Sequence, residues 1–107
     1  MNSIKATKPG SSTTEKIRMI TKTTAIVNRA GLHARSSAKL AEVAAGFSSD
    51  IRIGVGARAV DGKSILSLMM LAATQGTTVS LEADGADESD AIAALVALFE
   101  DGFGESL

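Results

Sequence analysis

Cysteine is absent from the 107 residues, and histidine occurs once. Without thiols there can be no disulfide framework, and a lone imidazole gives little from which to build a structural zinc site. No second His or Cys can pair with that imidazole as nucleophile and base, so hydrolytic chemistry is poorly supported. No apolar run approaches the length of a membrane span. The first residues are rich in Ser, Thr and Lys and lack the apolar stretch of a secretory signal. A net charge of −1 offers no general attraction for nucleic acid. The expectation is a cytoplasmic protein with no nucleic-acid partner and no membrane insertion.

What is present begins with an uneven distribution of charge. All 11 Lys and Arg residues, but only four of the 12 acidic ones, lie at or before Lys63, a balance of +7. The remaining acidic residues, Glu82, Asp84, Asp87, Glu88, Asp90, Glu100, Asp101 and Glu105, give the rest of the chain −8. One reading is a basic face for anionic partners and an acidic face left in water. The other is plain solubilisation of a small domain.

Residues 1–17 hold few apolar anchors among Asn2, Ser3, Thr7, Pro9, Gly10, Ser11 and Ser12. They read as a flexible N-terminal extension, leaving 18–107 as one domain. Ile20 to Val27 is β-branched and reads as a strand. Asn28 to Leu32 is a loop, and His33 to Ala45 a helix with Leu40, Val43, Ala44 and Phe47 at helical spacing and Gly46 as its stop. Ile51, Ile53 and Val55 alternate with Arg52 and Gly54 as a second strand, and a turn leads to a short third strand ending near Asp61-Gly62.

Ser64 to Ala73 reads as an apolar helix closed by Gly76. Val79, Leu81 and Ala83 alternate in a fourth strand. In the last helix Ile92, Leu95, Val96, Phe99 and Phe103 fall on one stripe, behind a first turn crowded by Asp87, Glu88 and Asp90. The order βαββαβα predicts an α+β two-layer open-faced sandwich, with three helices on one face of a four-stranded antiparallel sheet.

His33, the single histidine, sits at the expected start of a helix, with Arg35 two residues on. That arrangement suits a phosphoryl acceptor. Imidazole is a good nucleophile near neutral pH, free N–H groups of a helix start favour phosphate oxygens, and Arg35 can bring a planar charged fork to them. Phosphoryl transfer needs mainly positioning and charge stabilisation. Spacing alone favours the plainer reading, a surface histidine that caps a helix with Arg35 as a solvated neighbour.

The segment Asn28-Arg29-Ala30-Gly31-Leu32-His33-Ala34-Arg35 resembles the active-site loop of the HPr family, the histidine phosphocarriers of the bacterial phosphotransferase system. Lys63-Ser64-Ile65 resembles the family's second signature, around its regulatory serine, and the interval from His33 to Ser64 keeps the family spacing. Asp90 to Phe99, with Gly102-Phe103 after it, looks like the nitrogen-system branch, NPr. The resemblance runs from Thr21 to Phe103.

It implies strand order 1-4-2-3 and phosphate on the Nδ1 atom of His33, stabilised by Arg35. It further implies enzyme I as donor, with phosphate originating in phosphoenolpyruvate, and enzyme IIA domains as acceptors in sugar uptake or nitrogen and carbon regulation. The carrier would be a monomer, a stoichiometric component rather than an enzyme, with neither metal nor organic cofactor. Where the family usually has proline, Ser36 stands here. It restores an N–H and adds a hydroxyl, which either loosens the loop or supplies a phosphate donor.

Ser64 is placed to cap its helix, and the resemblance adds a regulatory phosphorylation site for HPr kinase/phosphorylase. In that helix Leu68 and Leu71 are expected in the core. Ile65, Leu66 and Met69 would then form an exposed patch that, with Ala34 and Ser36, docks partners. The alternative to a carrier is an HPr-like regulatory module that docks target proteins with little phosphotransfer.

Overall fold

The computed structural model describes residues 19–105. The extension expected over 1–17 lies outside the described residues. Seven elements follow in the expected order: β1 (Ile20–Ala25), α1 (Ala34–Ala45), β2 (Asp50–Val55), β3 (Arg58–Asp61), α2 (Ile65–Met70), β4 (Thr78–Asp84) and α3 (Glu88–Glu100), with a short 3-10 turn at Gly102–Gly104. The strands form one antiparallel sheet in the order β1-β4-β2-β3.

Alternation along the central strands sorts the two faces. Val79, Leu81 and Ala83 of β4 and Ile51 and Ile53 of β2 are buried, and register places Leu81 beside Ile53 and Ala83 beside Ile51. The helices supply the opposing layer with Leu40, Ala41 and Ala44 from α1, Leu68 from α2, and Ala91, Ile92, Leu95 and Phe99 from α3. These side chains form one continuous core.

Three expectations change at element ends. His33 and Ser64 are the residues before their helices rather than the first residues in them, each with extended backbone angles. The second helix stops at Met70 instead of reaching Ala73, because Ala72 takes a left-handed conformation, φ 53°, and turns the chain away. The third helix ends at Glu100, so Phe103 does not continue its stripe. Gly102, Phe103 and Gly104 are all left-handed (φ 62°, 59° and 74°), and this reversal folds Phe103 back into the core, its ring 4.9 Å from that of Phe99 in edge-to-face contact.

The start of α3 is tied to the α1–β2 connection by a carboxylate that does not serve its own helix. Asp87 precedes α3 but makes no capping bond to it. Its oxygens instead accept from the N–H groups of Ser48 (2.8 Å) and Ser49 (3.0 Å) and from the Ser49 hydroxyl. Those bonds, the Ser49 hydroxyl first, hold its pKa at about 2 against an ordinary 3.8. A depressed carboxylate pKa stabilises the fold fully above the unfolded value and loses that contribution as pH falls through the folded value. Thermal melts of wild type and Asp87→Asn should therefore differ most at neutral pH and converge as pH falls from about 3.8 to about 2. A constant difference across that window would show that Asp87 acts by shape alone.

Candidate functional site

The loop before α1 owes its path to one close approach. Gly31 has φ 70°, and a Cβ there would collide with the carbonyl oxygen of Ala73. The next residue, Leu32, donates its N–H to that same oxygen at 2.9 Å and buries its side chain. The turn at Ala72 that shortens α2 is what delivers this carbonyl. The start of α1 is thus seated on the end of α2.

His33 then caps α1. Its Nδ1 accepts the Arg35 backbone N–H at 3.2 Å, its own N–H donates to the Ser36 hydroxyl at 3.0 Å, and its carbonyl takes the Ser37 N–H at 2.9 Å. The imidazole side chain remains 35% exposed. It lines a shallow depression with Ala30, Arg35, Lys39, Gly104 and Glu105, and Arg35 is exposed at its rim.

Ser36 departs from its expected place at the surface. It is fully buried, and its hydroxyl donates to the Gly31 carbonyl at 2.8 Å while accepting from His33. A side chain on the first turn of a helix points back toward the cap, which turns this hydroxyl into the loop. It tightens the loop and is available neither to a phosphate nor to a partner. Ala34 beside it is exposed.

Two site residues escaped sequence reasoning: Glu105 and the side chain of Asn28. Glu105 Oε2 lies 2.6 Å from His33 Nε2, and its Oε1 accepts from Asn28 Nδ2 at 2.9 Å. Asn28 also donates to the Gly31 carbonyl at 2.9 Å and is fully buried. Asn28 first, then His33 and Arg35, hold the Glu105 carboxyl below its ordinary pKa despite partial desolvation. The tail carrying Glu105 is pinned by Lys39, whose ammonium donates to the Phe103 carbonyl at 2.7 Å. Gly102 and Gly104 around an aromatic anchor were the available signal, since they mark a chain reversal just before an acid.

Ser64 caps α2, accepting the Ser67 N–H at 3.3 Å and donating to the Ser67 hydroxyl at 2.9 Å. Leu68 and Leu71 are the buried members of this segment. Ile65, Leu66 and Met69 are exposed, and Met70, not foreseen, joins them at 61%.

Fold and site define a class: a small open-faced α+β sandwich that presents one half-exposed histidine at the start of its first helix. A family model described as "PTS HPr component phosphorylation site" matches residues 20–101. The chain is 51% identical over 87 residues to the phosphocarrier protein HPr of Cupriavidus necator, covering 81% of this chain and 98% of that one. It is 42% identical over 85 residues to the phosphocarrier protein NPr of Proteus mirabilis, covering 76% and 91%. Among solved structures, HPr from Thermoanaerobacter tengcongensis superposes with a TM-score of 0.79 at 44% identity, covering 82% of this chain and 99% of that one. The chain belongs to the HPr family of phosphocarrier proteins of the phosphotransferase system.

The Ser36 hydroxyl generates a prediction. Ser36→Ala removes the hydroxyl from a buried loop in which the His33 N–H keeps the Gly31 carbonyl at 3.2 Å and that carbonyl keeps Asn28, so the loss should be that of ordinary hydrogen bonds, about 0.5–1.5 kcal/mol. Denaturant unfolding measures the loss, and an unchanged midpoint would mean that the remaining bonds suffice.

Proposed function

We propose that this protein is a cytoplasmic, monomeric phosphocarrier. Its His33 accepts a phosphoryl group from phosphorylated enzyme I and passes it to enzyme IIA domains. The observation that carries the reading is the placement of His33 Nδ1. It faces the backbone N–H of Arg35 at the start of a 12-residue helix, on a ring that is still open to solvent.

A phosphate on Nδ1 would take over the N–H that now reaches the nitrogen. Its remaining charge would meet the helix dipole and the planar fork of the Arg35 guanidinium. The exposed apolar patch of Ile65, Leu66, Met69 and Met70 gives a partner something to bury. The same patch supports the second reading, a regulatory module that docks target proteins with little phosphotransfer.

Incubation with phosphoenolpyruvate and enzyme I should add one phosphate that is acid-labile and base-stable. His33→Ala should abolish it without unfolding the domain. Arg35→Ala should slow transfer tens of fold, the loss of roughly 1.5–3 kcal/mol from one charged contact, with Arg35→Lys restoring only part. Intact-mass measurement decides: phosphate acquired from enzyme I by His33→Ala would end the carrier reading.

Ser64 is proposed as a regulatory phosphorylation site, for HPr kinase/phosphorylase, at the edge of the docking patch. A phosphate brings up to about two negative charges and repels an acidic partner face. Ser64→Asp should slow transfer from enzyme I, more so at low salt, because screening weakens as ionic strength falls. Ser64→Ala should transfer nearly normally while losing about 1 kcal/mol of capping stability. Single-turnover transfer at two ionic strengths, with thermal melts alongside, checks both. Wild-type rates for Ser64→Asp under both conditions would leave Ser64 a cap only.

A further inference from the structure

The imidazole of His33 has a different kind of partner on each nitrogen. Nδ1 receives the backbone N–H of Arg35 at 3.2 Å, so this nitrogen carries a lone pair and no hydrogen. Nε2 faces a carboxylate oxygen of Glu105 at 2.6 Å, which can only accept when ionised, so the ring hydrogen sits on Nε2. Both contacts select one neutral tautomer. It is the tautomer that leaves Nδ1 free as a nucleophile.

Glu105 is itself held. Asn28 Nδ2 reaches two acceptors, the Gly31 carbonyl and Glu105 Oε1, both at 2.9 Å. Its Oδ1 is buried without a partner among the described residues. Rotating the amide by half a turn would set an acceptor against two acceptors, so the amide orientation is fixed. The other oxygen of Glu105 is thereby aimed at the ring. The left-handed reversal at Gly102–Gly104 and the Lys39–Phe103 bond bring the tail to this place from the end of α3.

We propose that Glu105, oriented by Asn28, is a positioning residue for phosphoryl acceptance: it holds the Nε2 hydrogen of His33 so that Nδ1 attacks, and balances the ring charge that results. This rests on the carrier reading above. In the accepting step the Nδ1 lone pair forms the bond to phosphorus as the bond from phosphorus to the donor's leaving atom breaks. No proton moves. Nε2 keeps its hydrogen and the ring becomes a cationic phosphoimidazolium, directly opposite the Glu105 carboxylate. In the onward step the bond from phosphorus to Nδ1 breaks, its electron pair returns to the nitrogen, and the same neutral tautomer is regenerated. Among the described residues, the other charged groups around the ring, Arg35 and Lys39, are cations and cannot neutralise it.

Ring nitrogen chemical shifts of His33 in the neutral protein report the tautomer directly. Wild type should show hydrogen almost wholly on Nε2. Glu105→Leu should give a mixture of tautomers and slow single-turnover phosphate uptake by roughly tenfold. Glu105→Gln should also fall short, because its NH2 group would replace one carboxylate oxygen and set a donor against the donating N–H of either Asn28 or His33. Glu105→Asp should restore part of both readouts, and thermal melts show that each variant is folded.

An unchanged tautomer in Glu105→Leu would overturn the inference, and so would a shifted tautomer with undiminished uptake. Failure of wild type to take phosphate on His33 would sink the carrier reading, and with it the proposed role in transfer. The ring shifts would still decide whether Glu105 sets the tautomer.

Discussion

One backbone hydrogen bond organises the end of this domain that carries the candidate site: Leu32 N–H to the carbonyl of Ala73. It forms only because Gly31 lacks a Cβ where that carbonyl arrives, and because Ala72 turns left-handed to deliver it. A left-handed non-glycine residue costs of order 1–2 kcal/mol, so the surrounding packing must over-determine it. Leu68 and Leu71 on one side and Leu32 on the other, all buried, provide that packing. With the loop seated, His33 falls at the head of α1 with its ring outward.

A second constraint is applied from the opposite end of the chain. Phe103 is a core side chain on a segment that has already left its helix, and its ring lies against Phe99. Burying an aromatic ring of this kind stabilises by roughly 1.5–3 kcal/mol, enough to hold the three left-handed residues that carry it. The reversal then places an acid against an imidazole 72 residues earlier in the chain. Core packing and site geometry are therefore one problem here, since Phe103 is anchored in the core two residues before Glu105 meets the ring.

Charge follows the same division. The cations around His33, namely Arg35 and Lys39, come from α1, whereas its anion comes from the tail. Under the proposed function, a site that accepts and then releases a phosphoryl group benefits from holding both signs: cations for the phosphate oxygens, an anion for the ring. The uneven distribution of charge along the sequence is compatible with this arrangement but does not specify it. Of the eight acidic residues after Lys63, only Glu105 bonds to the histidine.

Local chemistry was enough to read the elements, because each signal is short-ranged. Alternation in β4, the helical stripe of Ile92, Leu95 and Phe99, and the hydroxyl at Ser64 act within a few residues. His33 and Arg35 were legible for the same reason, being neighbours at a helix start. Strand order came from family resemblance, not from periodicity. What local signals could not decide was every feature that depends on a distant backbone or side chain. Ser36 turned inward because Gly31 and His33 offer it partners. The second helix ended early because the Ala73 carbonyl is needed by Leu32. Asn28 and Glu105 became site residues only when a tertiary reversal joined them across 77 positions. A sequence sets propensities residue by residue, but a hydrogen-bond partner far along the chain exists only once the core has folded and brought it within 3 Å.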